Sequence, residues 1–338
     1  MRAEWNLAPA AQPESNPSMP NESAIDHRAS AITLRGVSKH YGALRAVDGV
    51  DLDVRRGEVF GLIGHNGAGK STLFKMMLGL VLPSAGQIEV AGSPVSGKGF
   101  RAVRRQMGYL PENVVLWDNL DGLETMHFFA RLKGAPLADC PALLDRVGLT
   151  HAGKRPVREY SKGMRQRLGF AQALLGSPQV LFLDEPTTGL DPHAIRQFYD
   201  TLAELRQQGV TMVISSHILA ELQARVDRLA VLASGRVQAL GSVQQLREQH
   251  DLPLAVTLRL APADVAAAEQ ALARLPALLV GERGLAIEHV ADGLQLSCPR
   301  LAKMALLQVL APLGARLIDV QITEPSLEDL FFSTEEQR

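Results

Sequence analysis

The octapeptide Gly64-His65-Asn66-Gly67-Ala68-Gly69-Lys70-Ser71 constrains this chain more than any other feature. It stands between a continuous apolar run, Val59–Ile63, and a helical pattern over residues 72–80. Glycines at 64, 67 and 69 let the backbone curl until consecutive N–H groups point inward at the positive end of the following helix, which makes a cradle for phosphate oxygens. In such a loop Lys70 carries a mobile charge to β- and γ-phosphates, and Ser71 offers a hydroxyl to Mg2+. ATP and Mg2+ are therefore the expected cofactors, with His65, Asn66, Ala68 and Thr72 completing the phosphate-binding set. A glycine-rich turn that matches by chance is the alternative, and other motifs must decide.

A second acidic site lies downstream. Val180-Leu181-Phe182-Leu183-Asp184-Glu185 reads as a buried strand ending on two carboxylates. Two adjacent acids at the end of an apolar strand cost desolvation unless they are paired or hold a metal. Side chains alternate along a strand, so the two point differently and suit different tasks. Asp184 suits Mg2+, and Glu185 suits polarising the water that attacks a γ-phosphate.

The rest of the composition narrows the class. The chain has 338 residues with 35 basic and 36 acidic side chains and a net charge of −1, so it is neither a basic nucleic-acid glove nor an acidic tail. Its length suggests two domains, and 46% hydrophobic content suffices for a core in each. Residues 168–183 form the longest stretch without Asp, Glu, Lys or Arg. Gly176 and Pro178 interrupt it, and it is shorter than the about 20 residues a bilayer span needs. No secretory signal is expected. Cys140 and Cys298 are far apart, which argues against a disulfide framework or structural zinc and for a cytoplasmic location.

Residues 1–30, with Pro9, Pro13, Pro17 and Pro20, are expected to be a disordered leader, and Met19 is an alternative start. Residues 31–249 alternate strand and helix patterns, as in an α/β domain on a largely parallel sheet. The runs 59–63, 180–183 and 210–215 are continuous, as in strands covered on both faces. Residues 250–338 change texture. Strand patterns at 255–260, 286–290, 293–298 and 315–322, with helix patterns at 263–275 and 301–313, give the order βαββαβ of a small ferredoxin-like α+β domain.

Between the two phosphate-handling motifs stands Tyr160-Ser161-Lys162-Gly163-Met164-Arg165-Gln166-Arg167, which resembles the signature motif of ATP-binding cassette (ABC) ATPases. Ser161 and Gly163 occupy the matching serine and second glycine, whereas Lys162 and Met164 depart from the commonest form. A serine hydroxyl and N–H groups at a helix N-terminus still suit a γ-phosphate, and the added lysine keeps the charge favourable. The remaining motifs follow in the family's order. Tyr41 matches the aromatic that stacks on adenine, although alone it reads as a half-buried strand residue. Asp191, in Gly189-Leu190-Asp191-Pro192, matches the loop that meets the partner subunit, and His217 matches the switch histidine. Glu112 stands where the family has a glutamine that senses Mg2+ and water; it can still serve as a metal ligand.

The resemblance implies a P-loop NTPase cassette with a helical subdomain, followed by the small C-terminal α+β domain. It further implies ATP hydrolysis at a head-to-tail homodimer interface, where Ser161, Lys162 and Gly163 of one chain complete the loop site of the other, with Glu185 and His217 catalytic. It also implies a separate integral membrane permease and a peripheral position on the inner face of the bacterial inner membrane. Val114, Val115, Leu116 and Trp117 follow the Glu112 loop; core packing is expected for at least two, and Trp117 is the candidate for a permease-docking groove.

Several stretches, among them Tyr109-Leu110-Pro111-Glu112-Asn113-Val114 and Pro325-Ser326-Leu327-Glu328-Asp329-Leu330, look like the ATPase subunit of the copper-processing exporter that matures nitrous oxide reductase. That would add a periplasmic copper-binding protein to the complex. The chain itself shows no metal-ligand spacing. Drug and polysaccharide exporters share several of these motifs and are the alternative. A soluble cassette ATPase acting on nucleic acid or ribosomes usually carries two cassettes or a coiled-coil insertion, which this chain lacks, so no direct nucleic-acid contact is expected. A nucleotide kinase would lack the Ser161-Lys162-Gly163 segment.

Overall fold

The structure, a computed structural model, describes residues 30–249, 253–275 and 285–323. The expected leader, apart from Ser30, falls outside these residues, as do Met19 and the stretch from Pro325 to Leu330.

The central sheet contains β3 (Val59–Ile63), β6 (Met107–Leu110), β7 (Val180–Asp184), β8 (Thr211–Ser216), β9 (Arg228–Ala233) and β10 (Arg236–Gly241), in the spatial order β10-β9-β3-β8-β7-β6. Every neighbouring pair is parallel except β9 and β10, which form a hairpin. Ser234 and Gly235, at φ 49° and 77°, make the hairpin turn in the left-handed geometry that matches strand twist. The sheet is covered on both sides, which explains its unbroken apolar runs. Leu181 and Leu183 enter one core with α5 (Lys162–Leu174) and α6 (Pro192–Gln207). Val180 and Phe182 enter the other. There Phe182 meets Phe74 of α1 (Lys70–Met77) edge to face at 5.7 Å, a pair worth roughly 1 kcal/mol beyond its buried area.

A second, antiparallel sheet was not foreseen. It contains β1 (Ser30–Tyr41), β2 (Leu44–Arg55), β4 (Ala85–Val90) and β5 (Ser93–Pro94), in the order β2-β1-β4-β5. Ile32, Leu34, Val50, Leu52 and Val54 join the same core as Phe182, so this sheet lies against the α1 side of the parallel one.

Helix α1 begins at Lys70, earlier than the pattern suggests, because Gly69 at φ 107° turns the chain into it. It ends at Met77, before Gly79 at φ 64°. A helical region follows β6. It contains α3 (Gly122–Lys133), opened by a reciprocal Asp121/Glu124 capping box and closed by Gly134 at φ 75°, then α4 (Cys140–Arg146) and α5. Helix α2 (Phe100–Arg105) precedes β6, and α7 (Leu219–Leu222) and α8 (Val243–Gln249) complete this part.

The last unit has its own core. Its strands β11 (Leu254–Leu260), β12 (Ala286–Val290), β13 (Gly293–Cys298) and β14 (Leu317–Thr323) are antiparallel in the order β12-β13-β11-β14. Helices α9 (Val265–Leu272) and α10 (Lys303–Leu310) cover one face through Ala268, Leu272, Leu306 and Leu310. This is the ferredoxin-like arrangement. Both helices are shorter than their apolar patterns, because Pro262–Asp264, Arg300–Ala302 and Ala311–Arg316 form 3-10 turns at their ends.

Candidate functional site

Strand order assembles the site. Strands β3, β8 and β7 are adjacent and parallel, so their C-terminal ends lie in a row, where an open α/β sheet binds ligands. Register then sets the neighbours: Ile63 pairs with Ser216, and Asp184 pairs with Ser215. The glycine loop leaves β3, the acid pair ends β7, and His217 follows β8. Next along the row, β6 ends at Leu110 just before Pro111 and Glu112.

The loop has no room for side chains at two of its glycines. A Cβ on Gly64 would stand 2.4 Å from the Leu232 carbonyl oxygen, and one on Gly69 would stand 2.5 Å from that of Ala46. Gly67 faces open space but has φ 87°. Ala68 N–H donates to the His65 carbonyl at 3.1 Å, which closes the loop on itself. Lys70 is 6% exposed and its Nζ donates to the carbonyls of Gly64 and, at 3.3 Å, His65.

Asp184 and Glu185 are both buried and do diverge. Asp184 accepts hydrogen bonds from Ser71 and, at 2.5 Å, from Ser215 Oγ. Burial holds its carboxyl above the ordinary aspartate range, and these two hydrogen bonds act in the opposite direction. Glu185 adopts φ 46°, a left-handed conformation that costs a non-glycine residue roughly 1 kcal/mol or more, and its N–H donates to Ser215 Oγ at 3.0 Å. Its Oε2 lies 2.8 Å from His217 Nδ1; its Oε1 lies 3.4 Å from Lys70 Nζ and accepts no hydrogen bond. Ser215 therefore holds both acids, accepting from one and donating to the other. Sequence reasoning missed it because it reads as one more strand residue.

A cavity of about 510 Å3 opens over the loop. Of the residues expected around a nucleotide, Tyr41, His65, Asn66, Gly67, Gly69, Lys70, Ser71, Thr72, Glu112 and Glu185 line it. Tyr41 is 48% exposed, with Lys39 Nζ 5.2 Å from its ring centroid. Arg45 and the Ser234-Gly235 turn also line the cavity and carry no motif that could have announced them.

Ser161, Lys162, Gly163 and Asp191 lie outside this cavity. Ser161 caps α5, its Oγ accepting from Met164 N–H at 3.2 Å, which leaves the hydroxyl proton free to be donated. Lys162 lays its methylenes over Gly189. Asp191 caps α6, accepting from Ala194 N–H at 2.8 Å, and that bond holds its carboxyl below the usual range. Gln166 ties the two regions together: its Nε2 donates to the Pro186 carbonyl at 3.3 Å, one residue beyond Glu185.

The donor set suits a magnesium nucleotide. An orphaned Glu185 oxygen beside a buried ammonium, a side-chain-free cradle, and a hydroxyl on a buried carboxylate are what a triphosphate and a hard cation require. Ser71 and Asp184 would hold Mg2+, which would supply charge neutralisation between phosphates. Among the described residues no group of three or more His, Cys, Asp or Glu could hold a metal by itself.

Comparison with known proteins agrees with this chemistry. A family model described as "ABC transporter" matches residues 47–188. The chain is 38% identical over 308 residues to the daunorubicin resistance ATP-binding protein DrrA3 of Streptomyces coeruleorubidus, spanning 89% of this chain and 95% of that protein. It is 41% identical to the Nod factor export ATP-binding protein I of Rhizobium sp. (strain N33), over 65% of this chain and 73% of that one. Among solved structures, one described as the ATP binding subunit of an ABC transporter superposes with a TM-score of 0.62 at 34% identity, covering 65% of this chain and 93% of the other.

Proposed function

The chain belongs to the ABC transporter ATP-binding proteins, and from that premise we propose that it powers an exporter by hydrolysing ATP between two copies of itself. Its chemistry is that of an ATPase using ATP and Mg2+. The nucleotide-binding part is assigned to residues 31–249 and an accessory part to residues 250–338, supported by their separate apolar cores.

In this reading Tyr41 stacks on adenine. The N–H groups of the Gly64–Ser71 loop and Lys70 hold the phosphates. Ser71, Asp184 and Glu112 attend the metal, and Glu185 takes the proton of the attacking water while His217 steadies it. Ser161, Lys162 and Gly163 face the partner's nucleotide, and Asp191 stands at the same interface. The observation that carries the reading is that the glycine loop after β3 and Glu185 after β7 line one cavity that Ser161 does not reach. A site lacking a phosphate donor on its open side, and a donor lacking a site, are complementary between two copies. A Glu185→Gln variant should form an ATP-dependent dimer with little turnover; a monomer that hydrolyses ATP normally would overturn the reading.

No helix among the described residues is long and apolar enough to cross a membrane. Coupling to a separate integral membrane permease, at the inner face of a bacterial inner membrane, is the arrangement proposed. Relatives named for daunorubicin resistance and Nod factor export support a drug or polysaccharide class of cargo. Copper or sulfur handling for nitrous oxide reductase, with a periplasmic copper-binding protein, rests on motif resemblance alone.

A further inference from the structure

Glu221 belongs to none of the motifs, yet it touches the turn that carries Glu185. It lies on α7, four residues after His217, between Leu219 and Leu222, which are each 1% exposed and fix that helix on the core. Its Oε2 accepts from Thr187 Oγ1 at 3.0 Å, and Thr187 is the second residue after Glu185. The chain segments that leave β7 and β8 are therefore joined by two side-chain rungs. One runs from Glu185 to His217, the other from Thr187 to Glu221. A hydroxyl donating to a carboxylate is among the stronger side-chain hydrogen bonds, so the second rung is a firm tie.

The turn needs such ties. A non-glycine residue in the left-handed region, as Glu185 is at φ 46°, persists only where its surroundings over-determine it. Pro186 follows and has no N–H to give, so the turn's own backbone bond runs from Thr188 N–H to the Glu185 carbonyl at 3.2 Å. Side chains supply the rest: Gln166 of α5 holds the Pro186 carbonyl, and Glu221 holds the Thr187 hydroxyl. Two residues on, Gly189 at φ 82° opens the stretch that ends on Asp191, the cap of α6. Thr187 thus stands between Glu185 and the residues assigned to the interface between copies. Arg225, three residues past α7, lies 3.8 Å from the ring centroid of Tyr199 on α6 and braces the Glu221 segment from its other end.

We propose that Glu221 is a positioning residue of the ATPase. Through Thr187 it fixes the turn that carries Glu185, and so sets that carboxylate against His217 and residues 186–191 against the second copy. Neither Glu221 nor Thr187 lines the nucleotide cavity, so the effect of this bond falls on turnover and not on binding. The inference rests on the roles proposed for Glu185 and His217 and adds the side-chain bond that makes the two segments act as a unit.

The test uses the full chain, with steady-state hydrolysis, equilibrium ATP binding and melting temperature measured side by side. Glu221→Ala should lower kcat about tenfold and leave KM for ATP and ATP binding unchanged. Thr187→Val, which keeps the side-chain shape and removes the hydroxyl, should show the same loss. The double variant should be no slower than either single one, because each removes the same bond. Glu221→Gln keeps an acceptor and Thr187→Ser keeps a donor, so both should retain most of the turnover. Losses that multiply in the double variant would overturn the proposal. So would a Glu221→Gln variant as slow as Glu221→Ala, a loss that appears in KM or in ATP binding, or full turnover in Thr187→Val. If Glu221→Ala does not fold, the Thr187 pair decides: slow valine with fast serine supports the proposal, and equal rates overturn it. Normal hydrolysis in Glu185→Gln would instead overturn the assignment of the base. An inactive Glu185→Gln beside unaffected Glu221 and Thr187 variants would overturn the positioning role alone.

Discussion

Glu185 Oε2 lies 2.8 Å from His217 Nδ1, which ties the carboxylate at the end of one parallel strand to the imidazole after its neighbour. The carboxylate accepts from Nδ1–H, and Nε2 faces away from Glu185; donation from Nε2 to a phosphate oxygen requires that nitrogen to be protonated as well. Glu185 keeps its left-handed backbone conformation with its N–H on Ser215 Oγ, and the contact with His217 leaves its second oxygen unfilled.

His217→Ala should therefore lower ATP turnover about 100-fold or more, while ATP binding, which rests on the loop and Lys70, changes little. Steady-state hydrolysis beside equilibrium nucleotide binding separates the two. Equal losses in both would place His217 in binding instead.

Ser215→Ala removes the strongest opposition to the burial that raises the Asp184 carboxyl. The carboxyl should shift further up, so the acid limb of the ATPase pH profile moves to higher pH. The Mg2+ concentration for half-maximal activity should rise about 10-fold. An unmoved acid limb would show that another group sets it.

Gly69→Ala and Gly67→Ala share a left-handed backbone but differ in space. At 67 only the conformational cost of about 1–2 kcal/mol applies. At 69 the new methyl also meets the Ala46 carbonyl oxygen at 2.5 Å, so thermal denaturation should show a clearly larger loss, with nucleotide binding abolished. Equal stabilities would mean that the β2 backbone yields.

Stability should rise with pH between about 8, where burial has pushed Lys133, and the ordinary lysine range near 10.5. In that interval the unfolded chain binds the extra proton, so raising the pH favours the folded state; below it the full cost of burying the ammonium is present. The displacement corresponds to about 3 kcal/mol at most, and to about 1–2 after solvent screening. Lys133→Met should raise the melting temperature at pH 7 and flatten this rise.

Trp117 packs edge to face on Phe128 at 4.6 Å and contacts Phe129, whose ring lines a cleft shared with Arg101, Arg104 and Arg105 of α2. Its own ring remains 48% exposed. Trp117→Glu should weaken co-purification with the permease and leave ATP binding intact. Of its neighbours, Val114 and Leu116 pack on the core, whereas Val115 is 87% exposed.

Much of the site was legible because its motifs are local. A glycine loop between a strand and a helix, an acid pair ending an apolar strand and a histidine after another strand each occupy a few consecutive residues. The βαββαβ order of the last unit was legible for the same reason, since period-two and helical patterns alternate over short spans. The antiparallel sheet was not: β1 and β2 are a local hairpin that turns at Gly42 and Ala43, but β1 also pairs with β4 across β2, β3 and the whole of α1.

By itself the sequence determined which chemical groups are present and the local conformations that display them: a phosphate cradle, a metal hydroxyl, two carboxylates and a helix-capping serine. Only the tertiary structure decided which of them meet. Strand order put Ser215 between Asp184 and Glu185, set His217 against Glu185, and gathered three arginines and a lysine around a cleft with no acid in it. The reason is physical: hydrogen bonds between parallel strands and the burial of both sheet faces join residues far apart in the chain, and no local pattern records that pairing.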